Sequence, residues 1–393
     1  MRRASPQGSI LHERRTGRMS GNSASKMKIS SIDMFPVRIP FLRPHKIALG
    51  SAEDREVLIV RITTDNGLVG LGEAIAHPAF SGETLGALKA GVKCLAASAL
   101  GESPMDLNKI CTSMDQKLYA NYGAKGAIEM ALFDVLGRYF NVPVYNLLGG
   151  ITKDRFPISR SASHSDLEKD IAEVRDYMKE GYRIIKVKVG VLTVGEDVER
   201  IKALREVAGS KVSLRADANQ GWDVPTALKF IRGVEDCGLE FLEQPIEKSN
   251  LDGLAFLRGK SGTPILADES AATEHDVLEI IKRKAADFIS IKLVKSGGIL
   301  AARRIATLAN SAGIKCYLGS QTETSIGSAA GLHYALSANC FDYGGEIYGP
   351  AFFLKDITKS SMRIEGGDMY PSQEPGFGLE LDMERVREFA IED

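Results

Sequence analysis

Ile184-Ile185-Lys186-Val187-Lys188 is a short apolar run broken by two lysines, and Ser213-Leu214-Arg215-Ala216-Asp217-Ala218-Asn219 follows it after one helix-length interval. The same rhythm extends in both directions. Strands are expected at Phe156–Ser159, Ile184–Lys188, Ser213–Asp217, Glu240–Glu243, Pro264–Asp268, Phe288–Lys292, Lys315–Leu318 and near Cys340–Ile347. Helical patterns at Glu196–Val207, Pro225–Val234, Glu274–Arg283 and Leu300–Ala312 fill gaps between them. Eight β segments alternating with helices over about 200 residues predict a (β/α)8-type barrel. A doubly wound open sheet normally brings a Gly-rich phosphate loop, and neither GxGxxG nor GxxxxGK[ST] stands in a strand–helix setting here.

The segment before the barrel reads differently. Ile29–Arg38, Glu56–Thr63 and Leu68–Glu73 are expected strands, the last two joined by an Asp65-Asn66-Gly67 turn. Residues 82–140 read as helical, ending near Asn141 and Pro143. The expected fold class is therefore α/β, a barrel with an α+β capping domain. The expected organisation is a disordered or leader extension at 1–27, a cap at 28–150, the barrel at 151–347, and a C-terminal segment at 348–393 packing on the cap.

Composition narrows the function. The chain has 393 residues, 44% hydrophobic and 26% charged, with 50 Lys+Arg against 51 Asp+Glu. A net charge of −1 argues against a nucleic-acid partner. No apolar run is long enough for a membrane span. Five scattered cysteines, with no CxxC pair, suit reduced thiols and a cytoplasmic setting. Residues 1–26 carry six basic residues against Glu13 alone, which leaves organelle targeting open.

Charges interrupt the buried strands near their carboxyl ends, the end where barrel active sites lie. Asp217, Glu243 and Asp268 fall one βα unit apart. Three converging carboxylates repel unless a cation neutralises them, and an all-oxygen donor set suits Mg²⁺, with Mn²⁺ as a substitute. Lys186 and Lys188, two apart on a strand, face the same side, and Lys292 ends a strand across the mouth. Beside a divalent cation, adjacent ammonium groups depress each other's pKa and free an amine as a base. The chemistry this implies is proton abstraction next to a metal-bound carboxylate, through a stabilised enediolate.

These motifs, Lys186-x-Lys188, Asp217-x-Asn219, Glu243-Gln244-Pro245, Asp268-Glu269-Ser270, Lys292 with Gly297-Gly298, and Gly319-Ser320-Gln321-Thr322-Glu323, together resemble the muconate-lactonizing-enzyme subgroup of the enolase superfamily. The resemblance spans about residues 28–390. It implies metal ligation by Asp217, Glu243 and Asp268, acid/base roles for Lys188 and Lys292 on opposite substrate faces, and Lys186 as the tuner of Lys188. It also implies a small carboxylate substrate and a homo-oligomer. Arg43-Pro44-His45-Lys46 resembles the substrate loop of muconate cycloisomerases, which makes Arg43, His45 and Lys46 expected substrate-binding residues; Asn219, Gln321 and Glu323 complete that set. Glu323 reads equally as a helix cap, and the dispersed histidines, His77 included, read as surface or core residues.

A lactone-forming cycloisomerase is narrowly favoured. Racemisation or epimerisation of N-acyl amino acids or dipeptides is the alternative, supported by Ser81-Gly82-Glu83 and Ile291–Gly298. The eighth segment lacks the Asp-x-Asp of dipeptide epimerases. An acid dehydratase and a catalytically silent binding barrel are the remaining readings.

Overall fold

A computed structural model describes residues 27–391; the basic stretch 1–26 lies outside them. The cap is built on an antiparallel meander of β1 (Ile29–Ile47), β2 (Gly50–Thr64) and β3 (Val69–Ile75). Gly67, at φ +83°, turns the chain between β2 and β3, where Thr64 and Leu68 close the hairpin with a 2.9 Å backbone bond. Val57 to Val60 are all buried, because one face of β2 meets the parallel-sheet domain and the other meets cap helices.

The long helix Tyr122–Phe140 lies directly on β3, and every residue from Gly123 to Gly137 is buried. That approach depends on two glycines. A Cβ at Gly70 would stand 2.1 Å from the carbonyl oxygen of Ala131, and one at Gly72 would stand 2.0 Å from that of Ala127. The helical stretch expected over 82–140 is broken into Leu85–Ala96, Leu107–Lys117 and Tyr122–Phe140. Gly101 at φ +77° reverses the chain, Pro104 opens a short 3₁₀ turn capped by Ser103, and Asn121 in the left-handed region starts the last helix.

After β4 (Phe156–Pro157), seven strands form one parallel sheet: β5 (Arg160–Ala162), β6 (Ile184–Lys188), β7 (Ser213–Asp217), β8 (Leu242–Glu243), β9 (Ile265–Ala267), β10 (Phe288–Ile291) and β11 (Lys315–Leu318). They lie in sequence order across the sheet, all neighbours parallel. The sheet is curled, and the fold is mixed α/β. Helices connect the strands, including Val194–Ala208, Val224–Gly233, Glu274–Arg283 and Ile299–Ser311, within two residues of expectation at each end.

Two expected strands differ. The first parallel strand is Arg160–Ala162, while Phe156–Pro157 pairs antiparallel with β13 (Asp368–Tyr370), which also pairs with β12 (Arg363–Glu365). The eighth segment forms no ladder. Gly344 sits at φ +67° and Gly345 makes single parallel bridges to Leu318 and Ile158. A side chain at Gly345 would meet Phe156 at 2.7 Å and Leu318 O at 2.8 Å, so close approach replaces regular pairing.

The C-terminal segment runs back along the outer edge of β1. Leu354 N–H donates to Pro40 O, Arg38 N–H to Phe389 O and Ile391 N–H to Pro36 O, at 2.9 to 3.0 Å. Among the described residues no helix is long and apolar enough to cross a membrane.

Candidate active site

The carboxyl ends of β6, β7 and β8 set three charges side by side, because Lys188 pairs with Asp217 and Asp217 with Glu243 in the strand register. All of Lys186, Lys188, Asp217, Glu243, Asp268 and Lys292 are buried. Lys188 Nζ donates to Asp217 Oδ2 at 2.5 Å and to Asn219 Oδ1 at 3.3 Å. Lys186 donates to Glu243 Oε2 at 3.0 Å and to Glu346. Lys292 reaches Asp268 Oδ2 at 2.5 Å, and Lys295 holds Asp268 from behind through Oδ1 at 2.9 Å and the main-chain oxygen at 2.6 Å.

The turns that present these groups are strained. Asn219, Gln220, Gln244 and Thr322 all adopt positive φ, and all follow the ends of parallel strands. Gln244 explains its own place in the motif. Its amide oxygen accepts from Asp268 N–H at 3.0 Å and Ser270 N–H at 3.2 Å, which locks the end of β8 to the end of β9. Gly319 leaves room for Lys292, since a Cβ there would lie 2.7 Å from Lys292 Cε.

Electrostatics depart from one expectation. Burial alone would lower Lys186 and Lys292, yet both sit above the usual lysine range, because Glu243 and Glu346 hold the first proton and Asp268 and Glu243 the second. Carboxylates, not the neighbouring ammonium group, dominate each lysine's surroundings. Burial, with Asp217 and Asp268 alongside, pushes Glu243 up to about 8. Glu243 Oε1 is buried without a hydrogen-bond partner, as is Glu269 Oε2 beside it.

Among the described residues no group of three acidic, His or Cys side chains is drawn together as a finished cation site. The lysines occupy the carboxylates instead. The residues nonetheless fit a hard divalent cation. The donors are all oxygen, one buried carboxylate oxygen has no other partner, and the crowding of Glu243 by two further carboxylates is the repulsion a cation would relieve.

Lys188, Asn219, Lys292, Gln321, Glu346 and Tyr348 line one cavity, closed from the cap by His45, Ile47, Arg55, His77 and Phe80. Phe80 covers Lys292, whose Nζ lies 4.1 Å from the ring centre. Trp222 takes the packing role and tilts over Phe230.

Of the expected substrate loop only His45 reaches the cavity. The register of β1 shifts between Pro40 and His45, and Arg43 swings outward to Glu173, His164 and Tyr177. Lys46 is exposed on the face opposite His45. Glu323 is buried but turned into its own loop, accepting from Gln321 N–H at 2.8 Å and from the Ser320 hydroxyl. Several cavity residues lay outside the expected set, among them His77 and Arg55. His77 is a half-buried, neutral cap residue, lowered to about 3 by desolvation. Arg55 was hidden in the charge run Glu53-Asp54-Arg55-Glu56, although it shares an inward phase with Val57 and Ile59.

Comparison with known proteins agrees along both parts of the chain. Residues 30–149 match the mandelate racemase/muconate lactonizing enzyme N-terminal domain, and residues 169–386 match the enolase C-terminal domain-like family. The N-succinyl-L-Arg/Lys racemase of Bacillus cereus is 35% identical over 93% of this chain and 98% of its own length. The L-Ala-D/L-Glu epimerase of Bacillus subtilis is 35% identical over 90% and 97%. The crystal structure of muconate lactonizing enzyme from Pseudomonas fluorescens, complexed with muconolactone, superposes with a TM-score of 0.91 at 32% identity, covering 93% of this chain and all of that one. With both domains matched and these relatives covered nearly end to end, the chain belongs to the enolase superfamily, in its muconate-lactonizing-enzyme-like subgroup.

Proposed function

We propose that this protein is an isomerase that removes and returns a proton at the carbon next to a substrate carboxylate. The observation that carries the reading is that Lys188 and Lys292, from the ends of β6 and β10, line one buried cavity with three carboxylates between them in strand order. A substrate lying between the two amines exposes opposite faces to them. One lysine, as neutral amine, takes the α-proton onto its Nζ; the other, as ammonium, gives a proton to the opposite face. Lys186, held between Glu243 and Glu346, stays charged and fixed.

Asp217, Glu243 and Asp268 would hold a divalent cation, Mg²⁺ by the hardness of its donors, which offsets the negative charge gathering on the substrate carboxylate. We further infer that the curled sheet closes as a (β/α)8-type barrel, with Gly345 supporting the closure by bridging to both edge segments.

Two-base racemisation of an N-acyl amino acid, such as an N-succinyl derivative, uses both lysines and is the finer reading the geometry favours. Cycloisomerisation needs one lysine only. Its main sequence argument was the Arg43–Lys46 loop, of which only His45 lines the cavity. It keeps the support of the close backbone likeness to a muconate lactonizing enzyme.

Proton NMR in D₂O with Mg²⁺ tests these readings on cis,cis-muconate, N-succinyl amino acids and simple dipeptides. Deuterium entering the α-position of an N-succinyl amino acid, with inversion of configuration, is the expected result. Lactone formation from muconate would replace it with the cycloisomerase reading, and silence on all three would overturn both.

A further inference from the structure

Two of the chain's five cysteines come together outside the lysine-lined cavity. Cys316 lies on β11 next to Tyr317, whose ring packs against Phe241 and Lys186 within the curl of the sheet. Alternation along the strand turns Cys316 the other way, under helix Ile299–Ser311, where its Sγ stands 3.9 Å from Ala306 O. Ala306 also lines a cavity of about 250 Å³, and Cys340 lines it with Arg303, Asn310 and Tyr334. The Cys316 thiol donates to the Cys340 sulfur. Cys316 is fully buried and Cys340 half-buried, so Cys340 is the member of the pair that meets solvent.

Their surroundings divide the roles. The bond from Cys316 holds the Cys340 thiol below the usual range against its burial, and Lys153 acts in the same sense. The same bond, with burial, raises Cys316. Burial also raises Cys111 and Cys237. An oxidant attacks first the thiol that ionises readily and touches solvent, and a second thiol in contact converts the first product into a disulfide. The backbone beside Cys340 is held in place: Lys153 Nζ donates to Phe341 O at 2.9 Å, and the Phe341 ring packs edge-on against Tyr334. Hydrogen peroxide, little larger than water, fits the cavity and its polar wall.

We propose that Cys340 and Cys316 form a peroxide-reactive pair, with Cys340 oxidised first and Cys316 resolving it as a disulfide. The Cys340 thiolate attacks one peroxide oxygen, the O–O bond breaks, and hydroxide leaves with the electron pair, giving a sulfenic acid. Cys316 sulfur then attacks the Cys340 sulfur, and its thiol proton leaves with the sulfenic hydroxyl as water. Two thiols are oxidised and one peroxide is reduced to water. The loop so closed contains the Gly319–Glu323 turn, and the bond fastens the backbone that places Gln321 in the lysine-lined cavity. The inference is independent of the proton-transfer reading.

Hydrogen peroxide is added to the full chain, and remaining thiols are blocked with a maleimide. Digestion with trypsin and a glutamate-specific protease separates the two cysteines, because Glu323 is the only acidic residue between them. The expected product is a joined pair of peptides carrying Cys316 and Cys340, about 2 Da lighter than their sum and released by dithiothreitol. In Cys316→Ser, dimedone should capture a sulfenic acid at Cys340 at least about tenfold faster than at Cys94, Cys111 or Cys237. In Cys340→Ser, Cys316 should stay unmodified over the same time. Peroxide that leaves both thiols free, joins Cys340 to a different cysteine, or marks Cys94 ahead of Cys340 overturns the proposal. Should either variant fail to fold, the wild-type digest still decides it.

Discussion

Lys292 is gripped twice, by Asp268 at its ammonium and by the Phe80 ring above it. Lys292→Ala should lower racemisation by roughly 10²–10⁴-fold, the usual worth of a positioned acid or base. Exchange of the α-proton by Lys188 on the other face should persist, and chiral chromatography beside NMR reads the difference. Unchanged racemisation would rule out the two-base mechanism. The charges of this site were legible in the sequence wherever a charged residue ended an otherwise apolar strand, since that position has few structural uses. Side-chain direction at Arg43 was not legible, because the register shift in β1 that turns it away is set by tertiary pairing. Arg55 was missed for the opposite reason: its neighbours Asp54 and Glu56 made an inward-facing residue look like part of a solvated run.

Cap and sheet domain are joined by elements that the sequence outlined without their contacts. β3 against the Tyr122–Phe140 helix leaves no room for a methyl group at Gly72, so Gly72→Ala should cost about 1–3 kcal/mol in urea unfolding, the range of overpacked cores. The same helix sends Glu129 across to the start of helix Ile299–Ser311, where its carboxyl accepts from the N–H groups of Ile299 and Leu300. Burial pushes Glu129 up to about 7 despite those donors. In the unfolded chain the same group ionises near the ordinary glutamate value. The folded state thus holds the extra proton, and stability present at low pH is lost as pH rises from the unfolded toward the folded pKa, by at most about 3 kcal/mol. Urea midpoints at pH 5 and 7.5 should show that decline, and Glu129→Gln should flatten it. An equal slope in both proteins would contradict the assignment. The ends of four sheet-domain helices were readable to within two residues, but the breaks in the cap's helical stretch were not, and the two-residue strand β8 and the bridge at Gly345 were overestimated, because short apolar runs do not reveal how many residues find a ladder partner.

At the scale of the whole molecule, the carboxylate cluster links stability to cation binding. Mg²⁺ held only by the folded protein, at a hundred times its Kd, adds about 2.7 kcal/mol. Thermal unfolding should therefore shift upward on adding Mg²⁺, and Asp217→Asn or Glu243→Gln should abolish the shift. A wild-type midpoint indifferent to Mg²⁺ would remove the cation from the site. The fold class was readable from the βα rhythm, and a C-terminal segment at 348–393 packing on the cap was expected, whereas its strand-edge pairing with β1 leaves no periodic trace. That return has a consequence for synthesis. Pro36 and Ile391 meet through a backbone hydrogen bond, so the outer edge of the first strand is completed only by residues that leave the ribosome about 355 positions later. Translation at about 5–20 residues per second separates the two by roughly 20–70 s. Throughout that interval β1 offers an open strand edge to any neighbouring chain. The nascent polypeptide, rather than the finished protein, is the form that most needs a chaperone.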